Sequence, residues 1–292
     1  MISIHFFEGR YAKLIRGDLG THPAMQNFKI VVNCGPCEQY ITSCVESILA
    51  QTHQNWNAFI TVDTCQDGTF EAALAAARGD ARISVTKNET RMYVMYNLVQ
   101  AIRRSQAGPE DVIVVLDGDD WFAKPDALKI IAETYARYDC WLTYGSWLSN
   151  LPFQQEEDPD GVWPAYPPGT VFFRKTRWLA TAVRTWKKWL WDYLDDSDLR
   201  DSSGQYYRVS EDQAVMLPML EMSGTEHARH IPEILMIYNK LNPLASALVM
   251  ADEMHRHAVE LERIPPRARL PFKIYRNACG NSANDSCVAV GG

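Results

Sequence analysis

Apolar runs alternate with segments of helical periodicity through the first half of the chain, from about residue 28 to residue 145. The runs are short and apolar throughout, which is typical of strands buried on both faces of a sheet. The predicted strands are Lys29–Asn33, Ala58–Val62, Arg82–Thr86, Asp111–Leu116 and Trp141–Tyr144. The predicted helices are residues 40–49, Thr69–Arg78, Met92–Arg104, and a helix that runs from Pro125, as its first residue, to Tyr138.

Strands that alternate with helices predict βαβ units, and therefore an α/β fold with a mostly parallel central sheet flanked by helices. In such a sheet, ligands bind beyond the carboxyl ends of the strands. Those ends follow Val32, Val62 and Leu116, so we look for the chemistry of the protein at these three places.

The second half has a less regular pattern. A Pro- and Gly-rich connector over residues 149–169 is long enough to be a functional loop. After it, the pattern predicts an aromatic-rich helix, a polar mobile segment, a helix that Pro218 kinks or ends, a strand and a final amphipathic helix. In order, these are Trp178–Leu194, Asp195–Gly204, Val209–Met222, Ile231–Tyr238 and Ala245–Arg263.

Composition places the chain among ordinary globular proteins. Its 292 residues are 47% hydrophobic and 22% charged, which excludes a disordered chain and a collagen-like repeat. The net charge of −7 argues against a stable nucleic-acid partner, which usually needs a basic face.

The cysteines and the amino terminus predict a cellular location. The seven cysteines form no regular framework, and Cys34 and Cys37 make a lone CxxC, so we expect reduced thiols rather than disulfides or zinc. The alternative is a thioredoxin-like role, for which the motif would open a helix after a strand. The first residues do not have the pattern of a signal peptide, and no apolar run is long enough to span a membrane. We therefore expect a soluble, cytoplasmic protein.

The most apolar strand is followed directly by three carboxylates in the sequence Asp117-Gly118-Asp119-Asp120. Burying them together is costly unless a cation binds, and Mg²⁺ or Mn²⁺ prefers such oxygen ligands. Gly118 allows the backbone to bend or to approach a ligand closely. This pattern predicts a metal site that binds phosphates. The alternative is an acidic surface turn. A phosphatase of the aspartyl-phosphate type fits poorly, because Trp121 stands where threonine or valine is expected.

Residues 28–145 resemble the nucleotide-binding half of family 2 glycosyltransferases, which have the Rossmann-like GT-A fold. Three segments in the family's order carry the resemblance: YITSCVESILAQTHQNW, VDTCQDGT and VVLDGDDW. It continues more weakly through SEDQAVMLPMLEMSG and IPEILMIYNKLNP, which are similar to one bacterial and viral subgroup. The resemblance covers roughly residues 28–243.

The resemblance implies a role for each matching residue of the donor site. Asp63 would accept a hydrogen bond from the uracil of a UDP-sugar, and Asp117 would contact the ribose or the sugar. Asp119, with Asp117, would bind the metal, and Asp120 would orient the site or touch the donor sugar. Asp63 also fits a purely structural role, in which it ends a strand and caps a helix.

The resemblance also implies a catalytic base. Asp212 stands where the family places it, and would take the proton of the acceptor hydroxyl in an inverting displacement. Glu211 is the second candidate. Both residues also fit a first-turn acidic pair that the helix dipole favours.

The chain departs from the family pattern after its first strand and after Asn88. Residues 33–36, which include Cys34, replace the family's Pro-x-Tyr-Asn, and Thr90 replaces a glycine. We count Cys34 and Gly118 among the donor-binding residues. We also count Arg91, which is placed to reach the diphosphate in place of the lost contacts. The alternative for Arg91 is an ordinary surface arginine.

Other residues leave alternatives open. Four histidines and Asn239 are candidates for a further metal ligand, although the histidines are more typical of surface or capping positions. The tryptophans of the predicted helix 178–194 suit an acceptor platform, core packing or a homodimer contact. The basic tail suits a peripheral membrane contact or a solvated segment. The histidines are His227, His230, His255 and His257.

Together, these observations predict a metal-dependent, inverting hexosyltransferase that uses Mn²⁺ or Mg²⁺. Its partners would be a nucleoside-diphosphate sugar, expected to be UDP-linked, and a hydroxyl acceptor on a glycan, a protein or another polymer. The alternatives are a non-catalytic nucleotide- or sugar-binding relative and a nucleotidyltransferase. The predicted divisions are an extension (1–27), a donor-binding half (28–145), an acceptor and catalytic-base half (146–248) and a carboxyl-terminal helix and tail (249–292).

Overall fold

The computed structural model describes residues 26–151, residues 163–273 and residue 275. The predicted extension up to residue 25, residues 152–162 of the long connector and the end of the tail lie outside the described residues. Among the residues that are described, no helix is long and apolar enough to cross a membrane.

The first half folds as predicted into four parallel strands joined by helices. The strands are β1 (Phe28–Cys34), β2 (Trp56–Val62), β3 (Ile83–Lys87) and β4 (Val112–Asp117). The connecting helices are α1 (Ile41–Leu49), α2 (Thr69–Ala77) and α3 (Tyr93–Ser105). Along β4, Ile113 and Val115 enter one apolar cluster while Val112 and Val114 enter the other. Both faces of the strand are therefore covered, which explains its continuous apolar sequence.

The second half extends the sheet with strands of mixed direction. Its elements are β5 (Trp121–Phe122), α4 (Ala127–Arg137), β6 (Leu142–Ser149), β7 (Thr181–Lys187), α5 (Lys188–Trp191), α6 (Glu211–His227), β8 (Ala228–Tyr238), α7 (Ser246–Val249) and α8 (Ala251–Arg263). The strand order is β3-β2-β1-β4-β7-β6-β8-β5. Strand β7 is antiparallel to both β4 and β6, whereas β6 and β8 are parallel.

The predicted helix Trp178–Leu194 is wrong. Residues 181–187 form strand β7, whose Thr185 lies opposite Val114 of β4, and only a single helical turn follows. The prediction failed because the tryptophans of this segment were taken for the apolar face of a helix. The β-branched Thr181, Val183 and Thr185 instead suit a strand that pairs with the free edge of β4.

Three smaller predictions also need correction. Pro125 lies before the N-cap residue Asp126, so it is not the first residue of α4. Pro218 lies inside α6 without ending it, and the backbone leaves helical geometry at Gly224, where φ is 57° and ψ is −177°. The final helix is two helices that are separated at Met250. The polar segment after Asp195 contains a short 3₁₀ helix, Asp196–Leu199, closed by a capping box.

Candidate active site

A cavity of about 500 Å³ lies beyond the carboxyl ends of β1, β2 and β4, the place that the strand pattern predicted. Its lining combines residues of the first half with the start of α6 and the segment after β8. Eight of the nine predicted site residues line it: Cys34, Asp63, Arg91, Asp117, Asp119, Asp120, Glu211 and Asp212. The ninth, Gly118, is not among the lining residues.

Parallel pairing brings the acidic loop to the cavity. Asn33 at the end of β1 lies opposite Asp117 at the end of β4, and the Gly118 amide donates to the Asn33 carbonyl over 2.8 Å. Burial raises the pKa of Asp117 to about 6, although the Arg184 guanidinium acts in the opposite direction. The loop is thus anchored to β1, and its first carboxyl group binds a proton more tightly than an exposed aspartate does.

The segment after β8 holds the other two carboxylates of the loop. The Asn242 side-chain amide donates to Asp119 Oδ2 over 2.8 Å, and the backbone amide of Asn239 donates to Asp120 Oδ1 over 2.8 Å. Burial raises the pKa of both aspartates, and these two hydrogen bonds partly oppose that rise. Asp120 is 1% exposed, so its position is set mainly by the protein interior.

The acidic loop fits a divalent cation in part. Burial raises the pKa of Asp117 and Asp119, and a hard cation would relieve the cost of ionising them. In the part of the chain that the structure describes, no three His, Cys, Asp or Glu side chains converge closely enough to hold a metal ion. The two aspartates therefore suit a cation whose other ligands come from a bound phosphate, as is often the case for Mg²⁺.

Gly118 has a packing role that explains why it is glycine. A Cβ atom there would lie 2.5 Å from Cys34 Sγ and 3.0 Å from Cys37 Sγ. Because both thiols are buried against this glycine, a side chain has no space. The five cysteines in the described ranges, Cys34, Cys37, Cys44, Cys65 and Cys140, are free thiols.

Asp63 at the end of β2 holds the start of α3. Its Oδ1 accepts hydrogen bonds from the Met92 amide (2.9 Å) and from the Asn88 side chain (3.0 Å). Its Oδ2 accepts from the Tyr93 amide over 2.8 Å. The structural role that the sequence allowed for Asp63, ending a strand and capping a helix, is therefore present. Its carboxylate also lines the cavity.

Helix α6 opens with the predicted acidic pair. The Arg184 guanidinium, on β7, lies 3.2 Å from Asp212 Oδ2, and the Gln213 amide donates to Asp212 Oδ1 over 2.8 Å. Burial, with the repulsion of neighbouring carboxylates, raises the pKa of Glu211 to about 8. The first turn of α6 thus carries an ion-paired carboxylate beside one that favours its neutral form.

The histidine and tryptophan candidates differ in whether they line the cavity. None of the four histidines lines the cavity, whereas Trp178 does. Trp186 and Trp189 are buried in the core. Sequence reasoning missed Arg208, Tyr93, Asn242 and the aromatic pair Trp147 and Tyr238, all of which line the cavity. Tyr238 and Asn242 lie in the segment IPEILMIYNKLNP, whose weak resemblance to the family was the available signal, whereas Arg208, Tyr93 and Trp147 lie outside the segments that carry the resemblance.

Residues 30–150 match the sequence family described as glycosyl transferase family 2. The protein named "Putative glycosyltransferase EpsE" of Bacillus subtilis (strain 168) is 29% identical over 92 residues. That match covers 31% of this chain and 32% of EpsE. The similarity therefore lies in one part of each protein.

Solved structures match over a longer stretch. Staphylococcus aureus TarS 1–349 in complex with UDP has a TM-score of 0.58 at 14% identity, covering 81% of this chain and 64% of that chain. The mannosyltransferase PcManGT of Pyrobaculum calidifontis, in complex with GDP-Man and Mn²⁺, has a TM-score of 0.57 at 14% identity, covering 82% and 64%. This chain therefore spans about two thirds of these structures and shares their fold.

The fold likeness confirms the predicted GT-A architecture, an α/β fold with a largely parallel sheet flanked by helices. The family match covers β1 to β6 and includes the acidic loop. Residues 30–150 of this chain are therefore similar to glycosyl transferase family 2.

Proposed function

We propose that this chain is an inverting glycosyltransferase that moves a hexosyl group from a nucleoside-diphosphate sugar to an acceptor hydroxyl. The observation that carries the proposal is the ion-paired Asp212, which lines the same cavity as Asp63 and the acidic loop. A base candidate and a nucleotide-diphosphate site thus share one cavity, as a direct displacement requires.

In the proposed reaction, Asp212 takes the proton of the acceptor hydroxyl. The freed oxygen bonds to the anomeric carbon as the bond from that carbon to the diphosphate oxygen breaks. The electron pair of the broken bond leaves with the nucleoside diphosphate. Because the acceptor oxygen attacks the face of the anomeric carbon opposite the departing diphosphate, this single displacement inverts the anomeric configuration.

Arg184 would orient the base. Its guanidinium lies 3.2 Å from Asp212 Oδ2, and Asp212 also accepts from the Gln213 amide, so two donors fix the carboxylate. Burial opposes the charge on Arg184, but the neighbouring carboxylates outweigh it and raise the pKa of the guanidinium. Glu211, whose pKa is raised to about 8, suits the base role less well at neutral pH because it favours the protonated form.

Metal dependence is part of the proposal. Asp119 and Asp117 would hold Mn²⁺ or Mg²⁺, which when bound would supply positive charge to the departing diphosphate. The acidic loop supports this proposal through its oxygen ligands and through carboxylates whose pKa burial raises. The PcManGT structure contains Mn²⁺.

The donor is proposed to be UDP-linked. TarS structures contain UDP and UDP-GlcNAc, whereas PcManGT contains GDP-Man, so proteins of this fold accept more than one base. Asp63 already accepts hydrogen bonds from the loop before α3 through both carboxylate oxygens. A hydrogen bond from the uracil of the donor to Asp63 would therefore use a remaining lone pair of Oδ2, which accepts only one of these hydrogen bonds.

The acceptor is proposed to enter beside Trp178 and the segment that leads into α6. Trp178, Val209 and Ser210 line the cavity together with the acidic pair of α6. An aromatic face suits the apolar face of a sugar ring, so a glycan is the first acceptor class to examine. Residues 195–208 would form the wall or lid above it.

A donor-turnover screen tests the proposal. The full chain is incubated with UDP- and GDP-linked hexoses and Mn²⁺, with water or simple glycosides as acceptors, and released nucleotide is identified by chromatography. Asp212→Asn should lower turnover by roughly 10²–10⁴-fold, the usual contribution of a general base. Asp252→Asn, at an exposed position of helix α8, is the matched control and should leave turnover unchanged.

The same screen separates the alternatives. A nucleotidyltransferase would release pyrophosphate or form a nucleotide-linked product, whereas glycosyl transfer releases a nucleoside diphosphate. A non-catalytic relative would bind a nucleotide without any turnover. Full activity in Asp212→Asn would refute the assignment of the base.

A further inference from the structure

Three cations line the cavity among the residues that the structure describes: Arg91, Arg184 and Arg208. Arg184 is surrounded by carboxylates, led by Asp212. Its charge is therefore already compensated by the protein. Arg91 and Arg208 remain as the cations that can face an anionic ligand.

Arg91 and Arg208 approach the same aromatic ring. The guanidinium carbon of Arg208 lies 3.9 Å from the centre of the Tyr93 ring, and that of Arg91 lies 4.8 Å from it. Arg208 also donates a hydrogen bond to the Tyr93 hydroxyl. The two guanidinium groups come from opposite halves of the chain, since Arg91 precedes α3 and Arg208 precedes α6.

Tyr93 is held firmly beside the predicted nucleotide site. Its backbone amide donates to Asp63 Oδ2 over 2.8 Å. Its φ of 63° lies in the left-handed region, which bulky residues rarely occupy, and such strain concentrates at ligand sites. Asp63 thus holds the backbone of the residue whose ring both guanidinium groups approach.

Arg208 has donor capacity that the protein does not use. Its Nε is buried and has no hydrogen-bond partner among the described residues. The nearest carboxylate contact of its Nη1 is Glu253 Oε1 at 3.7 Å, which is beyond hydrogen-bond distance. A buried guanidinium N–H without a partner is costly unless a ligand satisfies it.

Arg91 is also available to a ligand. Its side chain is exposed at the cavity, and within the described ranges it has no ion pair with a carboxylate. The planar fork of a guanidinium matches two phosphate oxygens, so a pair of arginines suits a diphosphate better than a single negative charge.

We propose that Arg91 and Arg208, set on Tyr93, form the diphosphate-binding pair of the donor site. This inference rests on the proposed function and extends it to the residues that recognise the phosphates. The pair supplies positive charge beside Asp63, to which the Tyr93 amide is bonded, whereas the charge of Arg184 is already compensated by carboxylates. Arg208 further ties the segment before α6 to the nucleotide, because it comes from the second half.

The test compares nucleotide with nucleoside. Binding of UDP and GDP to the full chain is measured by calorimetry with Mn²⁺ present, and binding of uridine and guanosine by ligand-observed NMR. Arg208→Gln and Arg91→Gln should each weaken binding of the preferred diphosphate about tenfold, the effect of one lost charge-assisted hydrogen bond, and leave nucleoside binding unchanged. Arg256→Gln is the control, since Arg256 is 71% exposed and its guanidinium lies 3.9 Å from the same Glu253.

The outcomes separate this inference from the proposed function. If the wild-type chain binds neither diphosphate, both fail. If the wild type binds one and Arg208→Gln binds it equally well, or loses nucleoside binding to the same extent, only the arginine pair is refuted. Circular dichroism checks folding, and Arg208→Lys, which keeps the charge without the fork, should show an intermediate loss of diphosphate binding even if the glutamine variant is unstable.

Discussion

The Arg184 guanidinium and the Asp212 carboxylate form an ion pair across 3.2 Å, between strand β7 and the first turn of α6. Arg184 also acts on Asp117, Asp120 and Glu211, whose pKa values it lowers against the effect of burial. One buried cation therefore makes a cluster of carboxylates tolerable in this cavity. Removing it should affect charge and catalysis together.

Replacing Arg184 by Gln should lower kcat about tenfold or more, because the base loses a charged hydrogen bond. A tenfold loss corresponds to an activation barrier that is higher by about 1.4 kcal/mol. Without the cation, the pKa of Asp117, the proposed metal ligand, rises further, so the acid limb of the pH–rate profile should move to higher pH. Donor turnover measured from pH 5 to pH 9 checks both effects.

Arg137→Gln is the control for this profile, because Arg137 lies in the last turn of α4 and is exposed. An unchanged acid limb in a folded Arg184→Gln protein would contradict the electrostatic role of Arg184. A loss of rate with the same pH dependence would leave it a purely positioning residue.

Glu211 predicts how the stability of the free protein depends on pH. Burial raises its pKa from 4.5 to about 8, so the folded state binds the proton more tightly than the unfolded state does. The stability that this proton provides is fully present below about pH 4.5 and is lost as the pH rises through 8. Glu211→Gln should therefore remove part of the fall in melting temperature between pH 6 and pH 9.

Thermal melts of ligand-free protein across that range check the prediction. Glu233→Gln, on the exposed part of β8, is the control and should keep the wild-type pH dependence. A Glu211→Gln protein that loses as much stability as the wild type between pH 6 and pH 9 would show that Glu211 is ionised in the folded state at neutral pH.

Gly118 predicts a packing defect that a second site partly relieves. A Cβ in Gly118→Ala meets Cys34 Sγ at 2.5 Å and Cys37 Sγ at 3.0 Å, so the variant should lose about 1–3 kcal/mol of stability through overpacking. Adding Cys34→Ala removes the closest contact, and the double variant should lose less than the sum of the two single changes.

Chemical denaturation of the four proteins gives this double-mutant cycle. Gly35→Ala is the control, since a Cβ at Gly35 meets nothing within 4 Å and its φ is not positive. Strict additivity of the Gly118 and Cys34 substitutions would contradict the contact between them.

The sequence predicted the half of the fold in which each strand has a clear local pattern. The apolar residues of β4 alternate between two clusters, and this continuous run was enough to locate the strand and the acidic loop that follows it. Strand β7 was missed because its pairing with β4 depends on residues about 70 positions earlier in the chain. An aromatic-rich segment without that context has the composition of a helix as readily as of a strand.

The site residues were predictable where they directly follow a strand, and not where they come from a distant part of the sequence. Asp63 and Asp117 end their strands, so the topology alone places them together. Asn242 reaches Asp119 across 123 positions, and Arg208 reaches Tyr93 across 115. Because no local pattern marks such contacts, they become visible only when the chain is folded.

Asp63 predicts that the start of α3 and nucleotide binding depend on one carboxylate. In Asp63→Asn, one oxygen becomes an amide that faces backbone N–H donors, which leaves at least one buried donor unpaired at about 1–3 kcal/mol. The melting temperature should fall, and affinity for UDP should fall with it, because Tyr93 and the two arginines are no longer fixed. Asp126→Asn, at the N-cap of α4 and without a side-chain capping bond, is the control that should change neither quantity.

Hydrogen exchange measured by mass spectrometry adds a local readout, since amides of the first turn of α3 should exchange faster in Asp63→Asn while those of α1 keep their protection. Wild-type exchange in α3 combined with lost UDP affinity would instead mean that Asp63 acts on the nucleotide directly and not through the helix.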